Sequence, residues 1–508
     1  MVLLSPEKEC MIRPFERSAV LIAILLLALA LRLAPWGQNR FLEDEALYAY
    51  WGLQIATGAD PMLDREPVDK PPLHPYTLAL SFLVLGQNET AARLPSLLAS
   101  VAGIALVYAL GKQLPFPSPP QPRGNRRPGG EEVGLLAALL LALSPFDILF
   151  ASTAFTDPLL TTLVLGALLA AAKGHMGAAG VLCGLAAATK QQGLLFLPLV
   201  IVVGPLSTRP RKSGWLRFAL GFALIAGGTL GWDAARAQRP GFWQQGLISY
   251  GGLGPAQPQA LDERAGAWLR LVGDFWGVPW LNVLLLGVLV LWAGTSALRL
   301  PHLPPLSGVD LALGAFLGCF LLLHWLVGFQ VWDRYLLGLV PLAALLVARA
   351  FVALGVAIRS TSWRRVYAAS LGLGLILSLA GPVAQAARND LPLGGDHGAY
   401  DGIDALAAYV RTQVPPGAVL YHYWLGYHYR FYLYGAPLRL HWYPDLADLA
   451  HDAYVYRREP RYIAFPTWRD SAPETGALAS AGIRLAPVFE TTRRDGSVSF
   501  RLYKLEGP

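Results

Sequence analysis

Charge is what this chain has least of. Asp, Glu, Lys and Arg make up 15% of its 508 residues, against 54% apolar residues and a mean hydropathy of +0.42. A soluble globular chain carries roughly a quarter charged residues, so an ordinary soluble enzyme, a disordered chain and a fibre are excluded. Cysteine is almost absent as well. Cys10 lies before the first apolar run, and Cys183 and Cys319 lie inside later runs, which cannot make a disulfide framework. There is no glycine-rich loop before a Lys-Ser/Thr, no HExxH and no CxxC, so the common nucleotide, zinc-hydrolase and dithiol signatures are missing.

What the chain does have is long apolar runs separated by short basic links. The formal net charge of +7 is not gathered on one folded face. It sits in links such as Arg209/Arg211/Lys212/Arg217 and Arg349/Arg359/Arg364/Arg365, the pattern of cytoplasmic membrane loops. A nucleic-acid partner, which needs a basic patch on one domain, is excluded. Each crossing takes roughly 20 apolar residues. Runs at 19–35, 94–111, 133–150, 158–172, 176–189, 193–207, 215–232, 279–297, 309–327, 335–356 and 366–385 predict eleven crossings. The stretch from Pro72 to Leu85 is short and opens on Lys70-Pro71-Pro72, which predicts partial insertion. The N-terminus is then expected in the cytoplasm of a cell-membrane protein, with Gln121–Arg127 and Arg359–Arg365 on the same side. The fold class is mainly α, a polytopic membrane protein with a small C-terminal extracytoplasmic α/β domain. Its expected parts are a membrane domain over 1–385, including an outside loop at 36–93, and an α/β domain over 386–508. In the tail, helices near 401–410, 426–434 and 445–451 alternate with strands at 419–423, 438–442 and 462–465, and 498–503 is expected as an edge strand.

Chemistry-bearing residues cluster on the predicted outside. Glu43-Asp44-Glu45 sets three adjacent carboxylates at a membrane surface, where joint ionisation is unfavourable and a cation or a proton-accepting role gives them a purpose. An acidic helix start explains the same residues structurally. Asp69-Lys70-Pro71-Pro72 offers a cation that can meet a phosphate, or one that snorkels at a helix start. Asp157-Pro158 reads as an ordinary helix start, yet its carboxylate faces the compartment of Asp44. Asp333-Arg334-Tyr335 has the same placement.

Taken in order, these blocks resemble the polyprenyl-phosphate-sugar-dependent glycosyltransferases of the multispanning GT-C fold. Within them the chain is most similar to the protein mannosyltransferase and aminoarabinose transferase relatives. The resemblance rests on Glu43-Asp44-Glu45-Ala46-Leu47-Tyr48-Ala49, Asp69-Lys70-Pro71-Pro72-Leu73 and Ala92-Arg93-Leu94-Pro95-Ser96. It continues through Phe155-Thr156-Asp157-Pro158-Leu159, Thr189-Lys190 and Arg334-Tyr335-Leu336-Leu337, and spans about residues 15–350. Many relatives carry Arg before the residue matching Tyr48, where this chain has Leu47.

The resemblance implies transfer of a sugar from a polyprenyl-phosphate or diphosphate donor to an extracytoplasmic hydroxyl, with inversion. It implies Asp44, Glu45 and Asp157 as catalytic residues, and Tyr48, Asp69, Lys70 and Arg334 as substrate-binding ones. Metal use varies across such relatives, and Asp44, Glu45 and Asp69 are the candidate ligands for a divalent ion. The expected partners are the lipid-linked donor, membrane lipids and a protein, lipid or glycan acceptor. On residues alone a polyprenyl-lipid transporter or flippase stays open, as does a membrane scaffold with a C-terminal binding module.

Overall fold

The computed structural model describes residues 6–116, 129–236, 240–252, 254–298, 304–358 and 360–507. The basic residues Arg123, Arg126, Arg127 and Arg359 lie outside them. Sixteen helices come first: α1 (Pro6–Leu33), α2 (Glu43–Ala56), α3 (Leu73–Leu85), α4 (Glu89–Gln113), α5 (Gly130–Ala142), α6 (Pro145–Ala151), α7 (Asp157–Ala172) and α8 (Met176–Thr189). They continue as α9 (Leu197–Thr208), α10 (Lys212–Ala235), α11 (Phe242–Ser249), α12 (Leu261–Gly273), α13 (Pro279–Ala297), α14 (Gly308–Leu326), α15 (Val340–Ala357) and α16 (Thr361–Ala387). All eleven expected spans are helical. Among the described residues seven helices are long and apolar enough to cross a membrane, or eight with one bent pair, and α7 and α8 are shorter apolar helices. The chain is a multi-pass membrane protein. The short Pro72–Leu85 stretch is the 13-residue α3.

The run at 133–150 is not one straight helix. It breaks by 63° between α5 and α6, because Ser144 caps a new helix by accepting from the Asp147 amide and Pro145 follows at the first helical position. Two other spans start as 3-10 turns, Gln191–Phe196 before α9 and Asp333–Leu339 before α15.

The chain divides into two compact units. One comprises 1–36, 60–77 and 93–394, and the other 37–59, 78–92 and 395–508. In this grouping much of the 36–93 loop falls with the tail. In the first unit, α8 and α10 lie so close that a Cβ on Gly180 would fall 2.0 Å from the Phe218 carbonyl oxygen, and one on Gly221 2.7 Å from that of Gly177. Small residues permit such backbone approach in membranes. Charges inside this unit are paired. Arg32 donates to Ser100 at 2.7 Å, and Ser100 to Asp147 at 2.5 Å. Arg349 pairs with Asp310 between α15 and α14, with both side chains sealed from solvent. Ionisable groups at membrane depth require such partners.

The second unit is built on a five-stranded sheet of β1 (Val419–His422), β2 (Arg439–Trp442), β3 (Arg461–Pro466), β4 (Arg484–Thr492) and β5 (Val498–Glu506). Its order is β2-β1-β3-β5-β4, parallel across the first three strands and antiparallel thereafter. α17 (Ile403–Gln413) precedes β1, and α18 (Gly426–Tyr432), α19 (Leu446–Val455) and α20 (Ala472–Ser480) run between the strands. The 498–503 segment was expected at an edge and is interior. The edge is β4, whose Pro487 cannot donate to a ladder and whose register shifts there. One apolar cluster covers each face of the sheet, around Leu420, Ile403 and Phe500 on one side and Tyr421, Ile463 and Leu449 on the other. The segment at 37–59 joins this unit through Phe41, whose ring lies edge-on to Phe431 and whose carbonyl oxygen is 2.8 Å from His428 Nε2.

Candidate functional site

In the first unit the expected residues of four separate blocks converge. The 60–72 loop that carries Asp69 and Lys70 is held by buried Arg236, which donates to the carbonyl oxygens of Leu63 at 2.8 Å and Glu66 at 2.9 Å. Lys70 Nζ donates to Asp69 Oδ2 at 2.6 Å and to the Tyr250 hydroxyl at 2.7 Å. Gln191 Nε2 donates to the Asp69 carbonyl oxygen at 2.7 Å, tying this loop to the turn after α8.

That turn presents Lys190. Its extended backbone ends α8, and Gly193 lets the following 3-10 segment fold back. A Cβ on Gly193 would fall 2.5 Å from the backbone of Ala186. Lys190 Nζ donates to Asp157 Oδ1 at 2.6 Å and sits 4.6 Å above the Tyr335 ring. Arg334 stacks on Phe155 at 4.6 Å and on Trp332 at 5.1 Å. Both Lys70 and Arg334 lie near enough to repel the Lys190 ammonium. Lys70, Lys190 and Arg334 are all buried. Against the paired carboxylates of Asp69 and Asp157, the three cations leave the cluster net positive, which favours an anion beside them.

A cavity of about 650 Å³ is lined by Lys190, Gln191, Gln192, Tyr250, His324 and Tyr335 among its polar residues. The rest of its wall is mainly apolar, with Leu195, Trp243, Leu247, Leu323, Val327 and Phe329 among its residues.

The second unit holds the acidic triplet, and its three carboxylates have different surroundings. Glu45 is fully buried, and its Oε2 accepts from the Leu42 amide at 3.0 Å, capping α2 from within. Glu43 accepts from the Tyr400 hydroxyl. Asp44 is half-buried in the first turn. Tyr48 is buried, its ring 5.7 Å from that of Trp51. Tyr400 stacks on His428 at 4.2 Å. Burial, and then the Glu43 carboxylate, push the Tyr400 hydroxyl well above the usual tyrosine range. Burial pulls His428 below its ordinary value, against the pull of the Phe41 carbonyl and of Glu43 and Glu89.

Among the described residues no three His, Cys, Asp or Glu side chains converge as a metal centre requires. The candidate ligands Asp44, Glu45 and Asp69 are not such a group. Lys190, Tyr250 and Tyr335 were not among the expected site residues. Lys190 had a signal, since Thr189-Lys190-Gln191-Gln192-Gly193 is a polar break between two apolar runs. Tyr250 had none, because its link to Lys70 spans 180 residues.

Residues 69–118 match the family model described as dolichyl-phosphate-mannose-protein mannosyltransferase. No curated protein matches the chain in sequence. Among solved structures the chain is similar to ArnT from Cupriavidus metallidurans bound to undecaprenyl phosphate. Identity there is 17% and the TM-score 0.60, over 96% of this chain and 97% of that one. The apo form of ArnT from the same organism is similar at 16% identity and a TM-score of 0.64, over 96% and 98% of the two chains. The chain thereby shares the fold of ArnT along almost its whole length.

Proposed function

We infer that this GT-C-fold membrane protein, similar to the mannosyltransferase and aminoarabinose transferase family, moves a sugar from a polyprenyl-phosphate carrier to an acceptor hydroxyl. The observation that carries this reading is the cluster of Lys70, Lys190 and Arg334, of which Lys190, with the Lys70 partner Tyr250, lines a largely apolar cavity of about 650 Å³. Undecaprenyl phosphate, the ligand of one similar structure, has the shape and charge to fit: an apolar chain for the cavity and a phosphate for the cations. Each buried CH₂ of such a chain contributes roughly 0.8 kcal/mol, so the lipid stays at the membrane and the reacting atoms must be brought to its surface.

In the reaction the acceptor oxygen forms a bond to the anomeric carbon as the bond from that carbon to the phosphate oxygen breaks. The electron pair goes to the polyprenyl phosphate, where Lys70, Lys190 and Arg334 take up the developing charge. Tyr250 and Asp69 hold Lys70 in place. The acceptor proton goes to Asp44, the carboxylate to which the family resemblance gives that role. Attack opposite the leaving phosphate gives inversion. We read Glu45 as the cap of the helix that carries Asp44, and Asp157 as the residue that positions Lys190. The reaction is assigned to the extracytoplasmic side of the cell membrane.

Lys70→Met tests this directly. With the protein purified in detergent and its thermal midpoint checked, the variant should need at least tenfold more polyprenyl-linked donor to saturate. Unchanged donor saturation would remove Lys70 from the phosphate site, and with it the main support for the reading.

A further inference from the structure

The parallel part of the sheet has a topological switch point. The chain runs from β1 outward through α18 to β2, then crosses back through α19 to β3 on the other side of β1. In open sheets of this kind ligands bind outside the carboxyl ends of the strands where the order reverses, here between β1 and β3. The residues at that edge do not resemble a closed surface. Trp424 follows β1, Trp442 ends β2 and Trp468 follows β3, and they are 49%, 55% and 42% exposed. The Arg469 guanidinium lies 4.9 Å above the Tyr423 ring and 5.8 Å from that of Trp424. It is fixed there by a 2.7 Å bond to buried Glu474.

A second observation points to a ligand. Among the described residues three buried polar atoms of this edge have no hydrogen-bond partner: His422 Nδ1, the Tyr429 hydroxyl and Glu474 Oε2. His422 ends β1 with its ring 5.9 Å from that of Tyr429. Gly426 is needed beside it, since a Cβ there would fall 2.9 Å from the imidazole.

We propose that the carboxyl edge of β1 and β3 is a carbohydrate-binding site, in which a sugar ring stacks on Trp424 and Trp468 and its hydroxyls meet Arg469. Indole faces suit the apolar C–H face of a pyranose, and an Arg–carboxylate pair between them suits its hydroxyls. A nucleotide fits poorly. The loop after β1 is Tyr423-Trp424-Leu425-Gly426 rather than glycine-rich, and Glu474 opposes a phosphate. A resting place on anionic lipid fits poorly too. Asp445 and Asp470 follow Trp442 and Trp468 in the chain, where such a surface carries Lys or Arg. The Trp468 ring is 6.1 Å from that of Tyr400, whose hydroxyl bonds Glu43, the neighbour of Asp44. A glycan bound at this edge is therefore a candidate acceptor. That assignment rests on the transferase reading, whereas the binding itself does not.

The test is saturation-transfer NMR with chitotriose and maltotriose on the full chain in phosphatidylcholine nanodiscs, which avoid sugar-headed detergents. Ring C–H protons of at least one trisaccharide should receive saturation from the wild-type protein. The signal should fall at least fivefold in the Trp424→Ala/Trp468→Ala protein and survive largely in the Phe pair, which retains flat rings. Lys70→Met should leave it unchanged. A sugar signal that persists while Lys70→Met has normal donor saturation would sink the transferase reading and keep this site. Equal signals in the wild type and the Ala pair would overturn the site, as would none in the wild type. Quenching of Trp424 and Trp468 by brominated lipid, with no sugar signal, would assign the edge to the membrane instead.

Discussion

Asp157→Asn asks whether this carboxylate serves the reaction or serves Lys190. The Nζ to Oδ1 distance is 2.6 Å, and the two side chains are only 6% and 3% exposed. At an effective dielectric of about 20, unit charges so close attract by roughly 6 kcal/mol, much of it offset by removing both from water. Deleting one partner of such a pair typically costs about 3–5 kcal/mol, because the other charge is left buried without its counter-charge. The Asn side chain keeps one acceptor for Lys190, so the loss should fall at the lower end. The expected result is a thermal midpoint lowered by several degrees in detergent, with donor saturation weakened because Lys190 no longer holds its place. Lys190→Met alone should weaken donor binding by about tenfold or more, the scale of a lost charged hydrogen bond. Combining the two should cost less than the sum of the separate effects, the mark of a coupled pair. Additive losses in the double variant would refute the pairing. A protein carrying Asp157→Asn with normal midpoint and donor saturation but no transfer would show that the carboxylate acts on the reacting atoms.

Three further outcomes follow from the same structure. Asp44→Asn should lower transfer by about 10²–10⁴ at an unchanged thermal midpoint, whereas Glu45→Ala should lower stability by about 1.5–3 kcal/mol through its lost charged hydrogen bond. Paired assays of rate and midpoint separate the two roles, and the reverse pattern would exchange them. Gly180→Ala should lower the midpoint sharply, because the added Cβ meets the Phe218 carbonyl. Gly227→Ala on α10 has nothing within 4 Å and should be neutral, so equal midpoints for the two would contradict the close packing. In a cysteine-free background and intact cells, impermeant maleimide should label Ala59→Cys and spare Arg365→Cys. The opposite labelling would invert the proposed orientation.

The spans were legible because helix length and apolar composition survive any tertiary context. Every expected run is helical, and the three parallel strands of the tail lie within a residue of their expected bounds. What failed was local or distant. The break at Ser144-Pro145 was overlooked inside an apolar run, although Ser before Pro is a helix start in its own right. Strand β4 was missed because Pro487 and the register shift beside it disturb the alternation that marks a strand. Part of the cation cluster was legible in Asp69-Lys70, Asp157 and Arg334, each beside a span end. Tyr250 was invisible because nothing local distinguishes it, and its role exists only once the chain has closed on itself. The join between 37–59 and the tail depends on buried contacts such as Phe41 to His428, which no composition records.

The Lys70–Tyr250 contact also constrains how α3 meets the membrane. Lys70 and Tyr250 share a hydrogen bond of 2.7 Å, so both must lie on one side of the bilayer, and the number of crossings between them must be even. Between these residues the chain passes through α4, the bent α5–α6 pair, α7, α8, α9 and α10. Counting the bent pair as one span, that is six crossings if each traverses, and Lys70 and Tyr250 meet. If α3 traversed as well the number would be seven, and the two residues would be separated by a hydrocarbon layer of about 30 Å. The Gln191 contact to the Asp69 carbonyl imposes the same condition over α4 to α8, where four crossings are even and five with α3 are not. With those helices traversing, parity favours an α3 that enters partway, its Pro71-Pro72 lead-in leaving Asp69 and Lys70 on the side of Tyr250 and Gln191.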